Sequence, residues 1–423
     1  MAHRPAMPPV MPYVNQVTGD ASFYPPLRKK GRSERSVTLH RLIVDPGNSV
    51  EDLLRIVSEN APFDTDNLTP RISAEVGAME NGKAQKVGGA GLDWSKLVFG
   101  SRVDSHCFIK HVWKDGEWDK GELVQEPYVK MHVMANVFHY GQAIFEGQKV
   151  FHCKDGKVRI FNDKANHARL TAGCQRMGMP TMTAEMFHQA IDRVVAANLD
   201  FVPPYGSGAS LYVRPFMIGS GPQLGLGPSN EFTFMVLVSP VGPYYGGSVP
   251  CKLVDEFDRA APLGVGQVKC AGNYAADIVP AKQAKDQGFP ICLYLDAKEH
   301  KYVEEFSTSN FAAITKSNVY LTPDSSSVLG SVTNMCLEVL AKDMGLTVER
   351  RKIDFEAEVS SFKEVGAVGT GVVITVVESI TRGEKKYTFE QPSETLQSMY
   401  NKLRAIQVGD EPDKFGWLRE ISA

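Results

Sequence analysis

Hydrophobic patterns that alternate between strand and helix periods run through the second half of this 423-residue chain. Short apolar or alternating runs are typical of strands. They predict strands at Ser210–Ile218, Glu231–Val241, Ile291–Leu295, Phe311–Thr315, Val319–Leu321 and Gly371–Val377. Longer segments with helical spacing predict helices at Tyr274–Gln287, Val332–Met344 and Ser393–Ala405. Long helices mixed with many strands predict an α/β (α+β) fold with two lobes.

The stretch before residue 210 contains a similar mixture. Its periodicity and one Lys-Asp-Gly-Lys turn predict strands at Tyr128–Ala135, Gln148–Cys153 and Val158–Phe161 and helices at Asp163–Met177 and Thr183–Leu199. The sequence Pro203-Pro204-Tyr205-Gly206 indicates a linker. We therefore expect a small α/β domain at residues 91–204 and a large α/β domain at 205–423.

Residues 1–90 differ in composition from the rest, being rich in Pro, Gly, Asn and Ser. We expect a poorly ordered or peripheral extension there, with one helix-like patch at Val50–Glu59. The basic run Arg28–Arg32 is interpreted as a solvated tail rather than as a nucleic-acid signal. The first residues lack the apolar core of a secretory signal. A mitochondrial presequence stays an alternative, because Arg4 precedes the first acidic residue, Asp20.

Charge and cysteine usage narrow the class of protein. A net charge of -3 gives no support for nucleic-acid binding, and no apolar run is long enough to span a bilayer. The 7 cysteines include no Cys-x-x-Cys pair and no Cys/His cluster with zinc spacing. We expect free thiols in a reducing compartment, the cytoplasm, and neither a metal site nor a membrane or nucleic-acid partner.

A lysine followed by small residues is the first candidate for chemistry. Lys269 lies between a strand-like segment and a helix start, and it precedes Cys270-Ala271-Gly272, where the backbone can approach a ligand closely. A lysine in such a pocket can lose hydration, lower its pKa and become a nucleophile. The same residue alone could equally be a solvated surface charge, so the local sequence leaves both interpretations open.

Other candidates could hold an acidic or anionic partner. The pair Glu304-Glu305 could place a carboxylate in a pocket or could be an ordinary turn. Gly330-Ser331-Val332-Thr333 at a helix start could bind phosphate or could be a simple cap. Gly369-Thr370-Gly371 lies at a strand boundary, and Arg169 lies on a helix. Individually, none of these patterns identifies a function.

In their order along the chain, these pieces resemble the branched-chain aminotransferase family, whose members are fold-type IV enzymes that use pyridoxal 5′-phosphate (PLP). The motifs that carry the resemblance are Phe138-His139-Tyr140-Gly141, Phe145-Glu146-Gly147, Tyr212-Val213-Arg214-Pro215, Lys269 with Gly272-Asn273-Tyr274, Glu305 with Asn310, Gly369-Thr370, and Lys414-Phe415-Gly416-Trp417. The resemblance extends from Leu92 to the C-terminus. It implies two α/β lobes with the cofactor between them, binding of the cofactor by the 205–423 domain, and a homodimer.

The resemblance also implies a role for each matching residue. Lys269 would be the catalytic residue, which holds the cofactor as a Schiff base and shuttles a proton. Tyr274 would contact the phenolic oxygen of the cofactor, and Glu305 would pair with its ring nitrogen. The implied cofactor-binding set is Arg169, Lys269, Tyr274, Glu305, Thr308, Ser331, Val332 and Thr370. The implied substrate-binding set is Tyr140, Phe145, Tyr212, Arg214, Thr370 and Gly371.

The implied reaction is transamination between a branched-chain or other apolar L-amino acid and 2-oxoglutarate, giving a 2-oxo acid and L-glutamate. Two loops depart from the family pattern, Phe306-Ser307-Thr308-Ser309 and Val328–Thr333, and the Cys-x-x-Cys pair of animal members is absent after Thr370. These departures keep alternatives open. The alternatives are a specialised enzyme for an unusual apolar 2-oxo acid, a D-amino acid aminotransferase, an aminodeoxychorismate lyase, and a non-catalytic binding protein of the same fold.

Overall fold

The computed structural model describes residues 86–242 and 247–422. Its helices are α1 (Asn136–Tyr140), α2 (Asp163–Arg176), α3 (Ala184–Ala196), α4 (Ala271–Asp286), α5 (Val332–Asp343), α6 (Phe355–Glu358) and α7 (Glu394–Val408). The strands of its first part are β1 (Phe108–Lys114), β2 (Glu117–Trp118), β3 (Glu122–Val124), β4 (Ala143–Phe145), β5 (Gln148–His152), β6 (Val158–Phe161), β7 (Ser210–Gly219) and β8 (Glu231–Val241). The later strands are β9 (Val249–Val254), β10 (Ile291–Leu295), β11 (Val303–Phe306), β12 (Asn310–Thr315), β13 (Val319–Pro323), β14 (Thr347–Arg351), β15 (Phe362–Gly369), β16 (Val373–Arg382), β17 (Lys385–Thr388) and β18 (Leu418–Glu420).

The first sheet is antiparallel in its pairings and has the order β18-β6-β5-β7-β8-β1-β2, with β3 beside β1 and β4 beside β7. Helix α3 begins after Thr183, whose hydroxyl accepts a hydrogen bond from the Met186 N–H at 3.2 Å. Its apolar face, with Phe187 and Ile191 fully buried, packs in one cluster with Phe234 of β8.

The second sheet is mixed, with the order β11-β10-β9-β16-β15-β12-β13-β14 and β17 beside β16. Strand β9 runs parallel to both β10 and β16. An additional pairing of β11 with β12 closes six of these strands into a ring. Phe306 and Phe311 fill the core of this sheet, with ring centroids 5.8 Å apart. The ring fixes the end of β11, where Glu305 lies.

Apolar side chains connect the two sheets. Phe151 of β5, Ile314 of β12 and Leu396 of α7 belong to one buried cluster. The chain passes from the first sheet to the second between Val241 and Val249. The two sheets therefore pack together and enclose a cavity between them.

The predicted α/β fold is confirmed, and most predicted elements lie within a few residues of the observed ones. Strands Glu231–Val241 and Ile291–Leu295 have the predicted bounds. The two strands predicted on either side of the Lys-Asp-Gly-Lys turn are also confirmed and pair as a hairpin, since Val150 lies opposite Ile160 across β5 and β6. These segments have strong period-two or compact apolar patterns, which tertiary packing did not override.

The strand predicted at Tyr128–Ala135 is wrong. Only Ala135 pairs there, in an isolated bridge with Pro222, while Tyr128 and Val133 are exposed. An alternating pattern makes a strand only where a neighbouring strand accepts its hydrogen bonds. The turn suggested as one alternative for Glu304-Glu305 is also wrong, because both residues lie in β11. Turns, not a strand, precede Lys269.

Several strands were not predicted, and for β9 and β15 the sequence itself explains why. Strand β15 is buried over most of its length, and β9 is buried at four of its six positions. Pro250 and Lys252 interrupt the apolar run of β9, and Lys363-Glu364 interrupt that of β15, so neither strand has the continuous apolar run of a buried strand. In β15 the two glycines and an alanine also resemble a loop. Strand Val373–Arg382 begins two residues later than predicted, since Gly371 belongs to a turn.

Some expectations are not tested by the described residues. The helix-like patch Val50–Glu59 and the basic run Arg28–Arg32 lie outside them, as does the extension apart from residues 86–90. The division at 204/205 stays a prediction, and the change of sheet comes later, after Val241. Within 86–242 and 247–422, no helix is long and apolar enough to cross a bilayer, and no group of metal-ligating side chains is assembled.

Candidate active site

A cavity of about 630 Å³ lies between the two sheets. Phe145, Tyr212 and Arg214 border it from the first sheet, and Glu305 and Thr370 border it from the second. Lys269, which lies just before α4, borders the same cavity. Residues from widely separated parts of the chain therefore meet at one place, as is typical of a ligand site.

Backbone contacts hold Lys269 at the wall of this cavity. The carbonyl of Lys269 accepts a hydrogen bond from the Phe145 N–H at 3.0 Å. The backbone of Cys270 forms an isolated antiparallel β-bridge with Ile144, and α4 begins at Ala271. The lysine backbone is thus joined to β4 on one side and to a helix on the other. These contacts fix the position of the Lys269 backbone at the wall of the cavity.

The Lys269 amine is placed and desolvated for nucleophilic chemistry. Its Nζ donates to the Tyr274 hydroxyl at 2.8 Å and lies 4.8 Å from the centroid of the Phe145 ring. Burial, and next the neighbouring Arg169, lower the pKa of Lys269 to about 7. Burial also raises the pKa of Tyr274, so the phenol keeps its proton. An amine with such a pKa is partly neutral near pH 7 and can attack a carbonyl carbon.

Glu305 supplies a buried carboxylate at another wall of the cavity. Its Oε1 lies 2.9 Å from Nη1 of Arg259, and both side chains are almost completely buried. The Asn310 amide donates to Oε2 at 2.7 Å, and the Leu329 N–H donates to Oε1 at 3.2 Å. Burial raises the pKa of Glu305, while Arg259 acts in the opposite direction. The ion pair and two N–H donors stabilise the ionised form.

The neighbouring glutamate faces away from this network. Glu304 is also buried, and its carboxylate accepts a hydrogen bond from the Ser325 hydroxyl at 2.9 Å. Successive residues of a strand point to opposite faces, which explains the difference. Of the two glutamates, only Glu305 borders the cavity.

A third wall is suited to an anionic group. Arg169 of α2 makes two contacts of 2.7 Å with Glu146 and donates to the Gly330 carbonyl at 2.9 Å. Ser331 caps α5 by accepting from the Asn334 N–H at 3.2 Å. Arg169 and the positive end of a 12-residue helix thus come together. Val332 is the first residue of that helix but, unlike Ser331, does not border the cavity.

Aromatic rings and one arginine form the remaining wall. The Arg214 guanidinium lies 4.6 Å from the Phe145 ring centroid and 5.2 Å from that of Tyr212. Its Nη2 donates to the Tyr212 hydroxyl at 3.2 Å. Thr370 and Gly371 border the same space. Such a wall can contact apolar side chains while offering one cation to a carboxylate.

The structure brings most of the predicted residues together. Arg169, Lys269, Tyr274, Glu305, Thr308, Ser331 and Thr370 border the cavity, as do Phe145, Tyr212, Arg214 and Gly371. Tyr140 does not: it is partly exposed, and its hydroxyl donates to the Leu224 carbonyl. The substrate-binding role expected for Tyr140 therefore stays a prediction, because within one copy of the chain Tyr140 does not border the cavity.

The contacts of two residues of the site, Arg259 and Glu146, were not predicted from the sequence. Arg259 lies in an unpatterned stretch ten residues before Lys269, and nothing local marks it as the partner of Glu305. Glu146 was part of a motif, but its pairing with Arg169 was not foreseen. Glu146 had one signal, its place in the Phe145-Glu146-Gly147 motif, whereas Arg259 belongs to none of the motifs. Both pairs join residues far apart in sequence, which local patterns cannot reveal.

Comparison with known proteins gives consistent results. Residues 143–380 match the family described as Amino-transferase class IV. The branched-chain-amino-acid aminotransferase of Helicobacter pylori is 41% identical over 335 residues, covering 78% of this chain and 98% of the relative. That of Haemophilus influenzae is 40% identical over 341 residues, covering 78% and 99%. The solved branched-chain amino acid aminotransferase of Thermobaculum terrenum, in its PLP form, has the same fold, with a TM-score of 0.62 at 20% identity, covering 76% and 100%.

Proposed function

Because this chain belongs to the class IV aminotransferases, and among them to the branched-chain-amino-acid aminotransferases, we propose that its central cavity carries out amino transfer with Lys269 as the catalytic residue. The protein is a PLP-dependent enzyme that transaminates branched-chain amino acids, and its substrates are small molecules. We assign 2-oxoglutarate as the second substrate. The observation that carries the residue assignment is the Lys269–Tyr274 contact of 2.8 Å in the cavity that Glu305 also borders.

The cavity residues fit the chemical groups of PLP. Lys269 would hold the aldehyde carbon, Tyr274 the phenolic oxygen and Glu305 the ring nitrogen. Arg169, Ser331 and Thr370 would hold the phosphate, with the start of α5 and Val332 behind them. The hydroxyl of Ser309, which borders the cavity, is buried without a hydrogen-bond partner among the described residues, as is Nε of Arg214. Such unpaired polar atoms indicate that a polar ligand belongs here.

The residues of the chain divide the work of the reaction among them. When bound, PLP supplies a protonated ring that stabilises negative charge developing on the substrate Cα. Lys269 Nζ accepts the proton from that carbon, which its lowered pKa allows near pH 7. Glu305, held by Arg259, keeps a proton at the ring nitrogen. Tyr274 orients the lysine amine, and Phe145 and Tyr212 exclude water from the apolar side of the cavity.

Substrate selection follows from the same cavity. Phe145, Tyr212 and Phe216 offer apolar surface to a branched side chain, while Arg214 can pair with the side-chain carboxylate of glutamate. The turn at Thr370-Gly371 would bind the α-carboxylate. The comparisons do not favour the specialised, D-specific, lyase or non-catalytic alternatives.

A comparison of 2-oxo acids tests this assignment. With L-glutamate as donor, 2-oxoisocaproate should react with a higher kcat/KM than unbranched 2-oxo acids that are three or more carbons longer, because the aromatic wall closes the cavity. Initial rates across such a series provide the measurement. A clear preference for the longer acids would contradict the branched-chain assignment without affecting the role of Lys269.

The rate at which the Lys269 amine reacts with PLP should rise with pH and then level off. Only the neutral amine attacks an aldehyde, and the pKa of Lys269 is lowered to about 7. The capture rate of the apoenzyme should therefore rise about tenfold per pH unit below the pKa and level off above it. Stopped-flow absorbance of apoenzyme mixed with PLP measures this rate. A rise that continues to about pH 9 would indicate the ordinary lysine pKa of about 10.4 instead.

We further propose that the enzyme is a homodimer. Tyr128, Val133 and Phe138 are exposed, and so is Leu226, on a neighbouring loop that the Gln223 N–H ties to the Met134 carbonyl at 2.8 Å. Large apolar side chains grouped on a surface are typical of an interface. Tyr140 lies within this group and could reach a neighbouring copy.

The variant Val133→Glu should convert this dimer to a monomer, because burying an unpaired carboxylate at an interface costs several kcal/mol, roughly 2–5. Sedimentation velocity of the purified enzyme measures the mass. Val339→Glu, at an exposed position of α5, is the control and should leave the mass unchanged. A wild-type monomer at micromolar concentration would contradict the homodimer.

We propose the cytoplasm as the compartment. All seven cysteines are buried free thiols, as in proteins of reducing compartments. Fractionation of cells that express the complete chain tests this, and enrichment in mitochondria would contradict it.

A further inference from the structure

A second cavity, of about 520 Å³, adjoins the first. Lys149 of β5 and Arg404 of α7 border it, together with the beginning of β16. Gly371 and Val372 border both cavities, so the turn that they form separates the two spaces. A ligand in the second cavity would contact the reverse side of the turn to which we assign the substrate carboxylate.

Two positive side chains face this second cavity. Lys149 is buried, and its Nζ donates to the Gly371 carbonyl at 3.0 Å. Arg404 is half-buried, stacks over the Phe151 ring at 5.0 Å and donates to the Gln407 side-chain oxygen at 3.0 Å. All of these partners are neutral groups.

No acid compensates these charges in the part of the chain that the structure describes. Neither Lys149 nor Arg404 forms an ion pair there, and none of the described residues that border the cavity is Asp or Glu. The remaining wall offers neutral donors, among them Ser210, Thr375 and Gln397. A cavity with charges of one sign and several neutral donors is suited to a counter-ion.

The energetics support the same conclusion. Burial, and next the nearby Arg404, lower the pKa of Lys149 to about 7, and burial also lowers the pKa of Arg404. The guanidinium nevertheless remains charged, because arginine is not deprotonated in proteins. Placing charges out of water without a counter-charge is unfavourable, and an anion between the two would remove that cost.

We propose that the pocket between Lys149 and Arg404 binds a small oxyanion, a carboxylate or a phosphate, and that this anion steadies the turn at Gly369–Val372. Arginine can bind either kind of oxyanion with two parallel N–H bonds, and lysine adds a point charge. The effect on the turn rests on the proposed function of Thr370-Gly371. The binding itself does not depend on it.

Equilibrium dialysis of the full-length, PLP-loaded enzyme tests the binding. Radiolabelled inorganic phosphate and acetate are used separately, each at constant ionic strength. One saturable phosphate or acetate per chain is expected, and the anion that binds identifies the source. Saturable binding of neither anion would overturn the proposal.

Variants locate the anion. Arg404→Gln should weaken binding at least tenfold, whereas Arg404→Lys, which keeps the charge, should weaken it less. Arg102→Gln is the control: this arginine is exposed and pairs with Asp104, and its replacement should change nothing. Equal affinity in wild type and Arg404→Gln would place the anion elsewhere, for example at the substrate carboxylate, and would overturn the proposal.

A measurement on the unmodified protein covers the case in which Arg404→Gln does not fold. Whichever of phosphate or acetate binds in dialysis should, compared with chloride at equal ionic strength, slow acetylation of Lys149 by acetic anhydride several-fold, as followed by peptide mass spectrometry. The exposed Lys282 of α4 should react equally in both salts. Equal acetylation of Lys149 in both salts would overturn the proposal.

The effect on the turn has a separate readout. A saturating concentration of the anion that binds should lower KM for L-leucine in the wild type while leaving kcat unchanged, and should have no such effect in Arg404→Gln. An unchanged KM in the wild type would contradict the coupling. Because dialysis does not measure activity, a failure of the proposed function would leave the binding result intact.

Discussion

Replacing Lys269 with alanine is expected to lower the rate of transamination by roughly 10²–10⁴-fold or more, the range that one positioned proton-transfer group contributes. The Lys269 amine borders the cavity, and its contact of 2.8 Å with the Tyr274 hydroxyl orients it. In the proposed role of Lys269, its removal would take away both the covalent attachment of PLP and the base that accepts the Cα proton. Initial-rate assays with L-leucine and 2-oxoglutarate measure the loss.

The matched control is another lysine, Lys282→Ala. Lys282 is exposed on α4 and pairs with Asp286 within the helix. Such surface changes shift stability by no more than about 0.5 kcal/mol and should leave the rate unaltered. The Lys269→Ala protein should also lose the yellow absorbance of the lysine-linked cofactor. If it kept more than a tenth of the wild-type rate, Lys269 would not be the catalytic residue.

Replacing Glu305 with glutamine should have two effects that can be separated. The first is on stability: Arg259 would remain buried without its acid, and breaking a buried pair by removing one partner costs about 3–5 kcal/mol. The second is on activity, because a neutral amide cannot keep a proton on the ring nitrogen of PLP. We expect a fall in kcat of at least about 100-fold, the lower end of the range for a proton-holding group.

The double variant Glu305→Met with Arg259→Met distinguishes these effects. Replacing both members of a buried pair by apolar residues is often neutral for stability, so the free energy of unfolding should recover. Activity should not recover, because the acidic partner is still missing. Urea unfolding and initial rates are measured on the same preparations.

Glu304→Gln is the matched control, a change of the same kind at the neighbouring residue. The Glu304 carboxylate accepts a hydrogen bond from the Ser325 hydroxyl and does not border the cavity. The Glu304→Gln protein should retain activity. Recovery of both stability and activity in the double variant would show that Glu305 has only a structural role.

The fold could be predicted from the sequence where an element has an amphipathic helical pattern or a compact apolar run. Helix α3 illustrates the first case, because its apolar spacing matches its buried face, and strand β8, buried at eight of its eleven positions, illustrates the second. Strands β9 and β15 escaped, because Pro250 and Lys252 in β9 and Lys363-Glu364 in β15 interrupt their apolar runs. At Tyr128–Ala135 a strand was predicted where none exists. The segment alternates, but only Ala135 pairs with another part of the chain, in one isolated bridge.

The site was predictable as a set of residues but not as a network. Lys269 alone could have been a surface lysine, and only its order with Tyr274 and Glu305 indicated chemistry. The partners that tune these groups, Arg259 and Glu146, could not be assigned, because each acts through a contact formed by the tertiary fold. The proposed anion pocket at Lys149 and Arg404 could not be predicted from the sequence for the same reason. It brings together residues of β5 and α7, which no local pattern connects.

The most direct test of the central claim is a single-turnover reaction of the PLP-loaded enzyme with L-amino acids in the absence of any 2-oxo acid. L-leucine, L-isoleucine and L-valine should each convert the cofactor to its amino form, as followed by loss of the yellow absorbance. They should release one equivalent of the matching 2-oxo acid per chain, while D-leucine and the Lys269→Ala protein should give neither. Conversion by D-leucine at a comparable rate, or no conversion by any of the three L-amino acids, would contradict the assignment of this chain as a branched-chain L-amino acid aminotransferase.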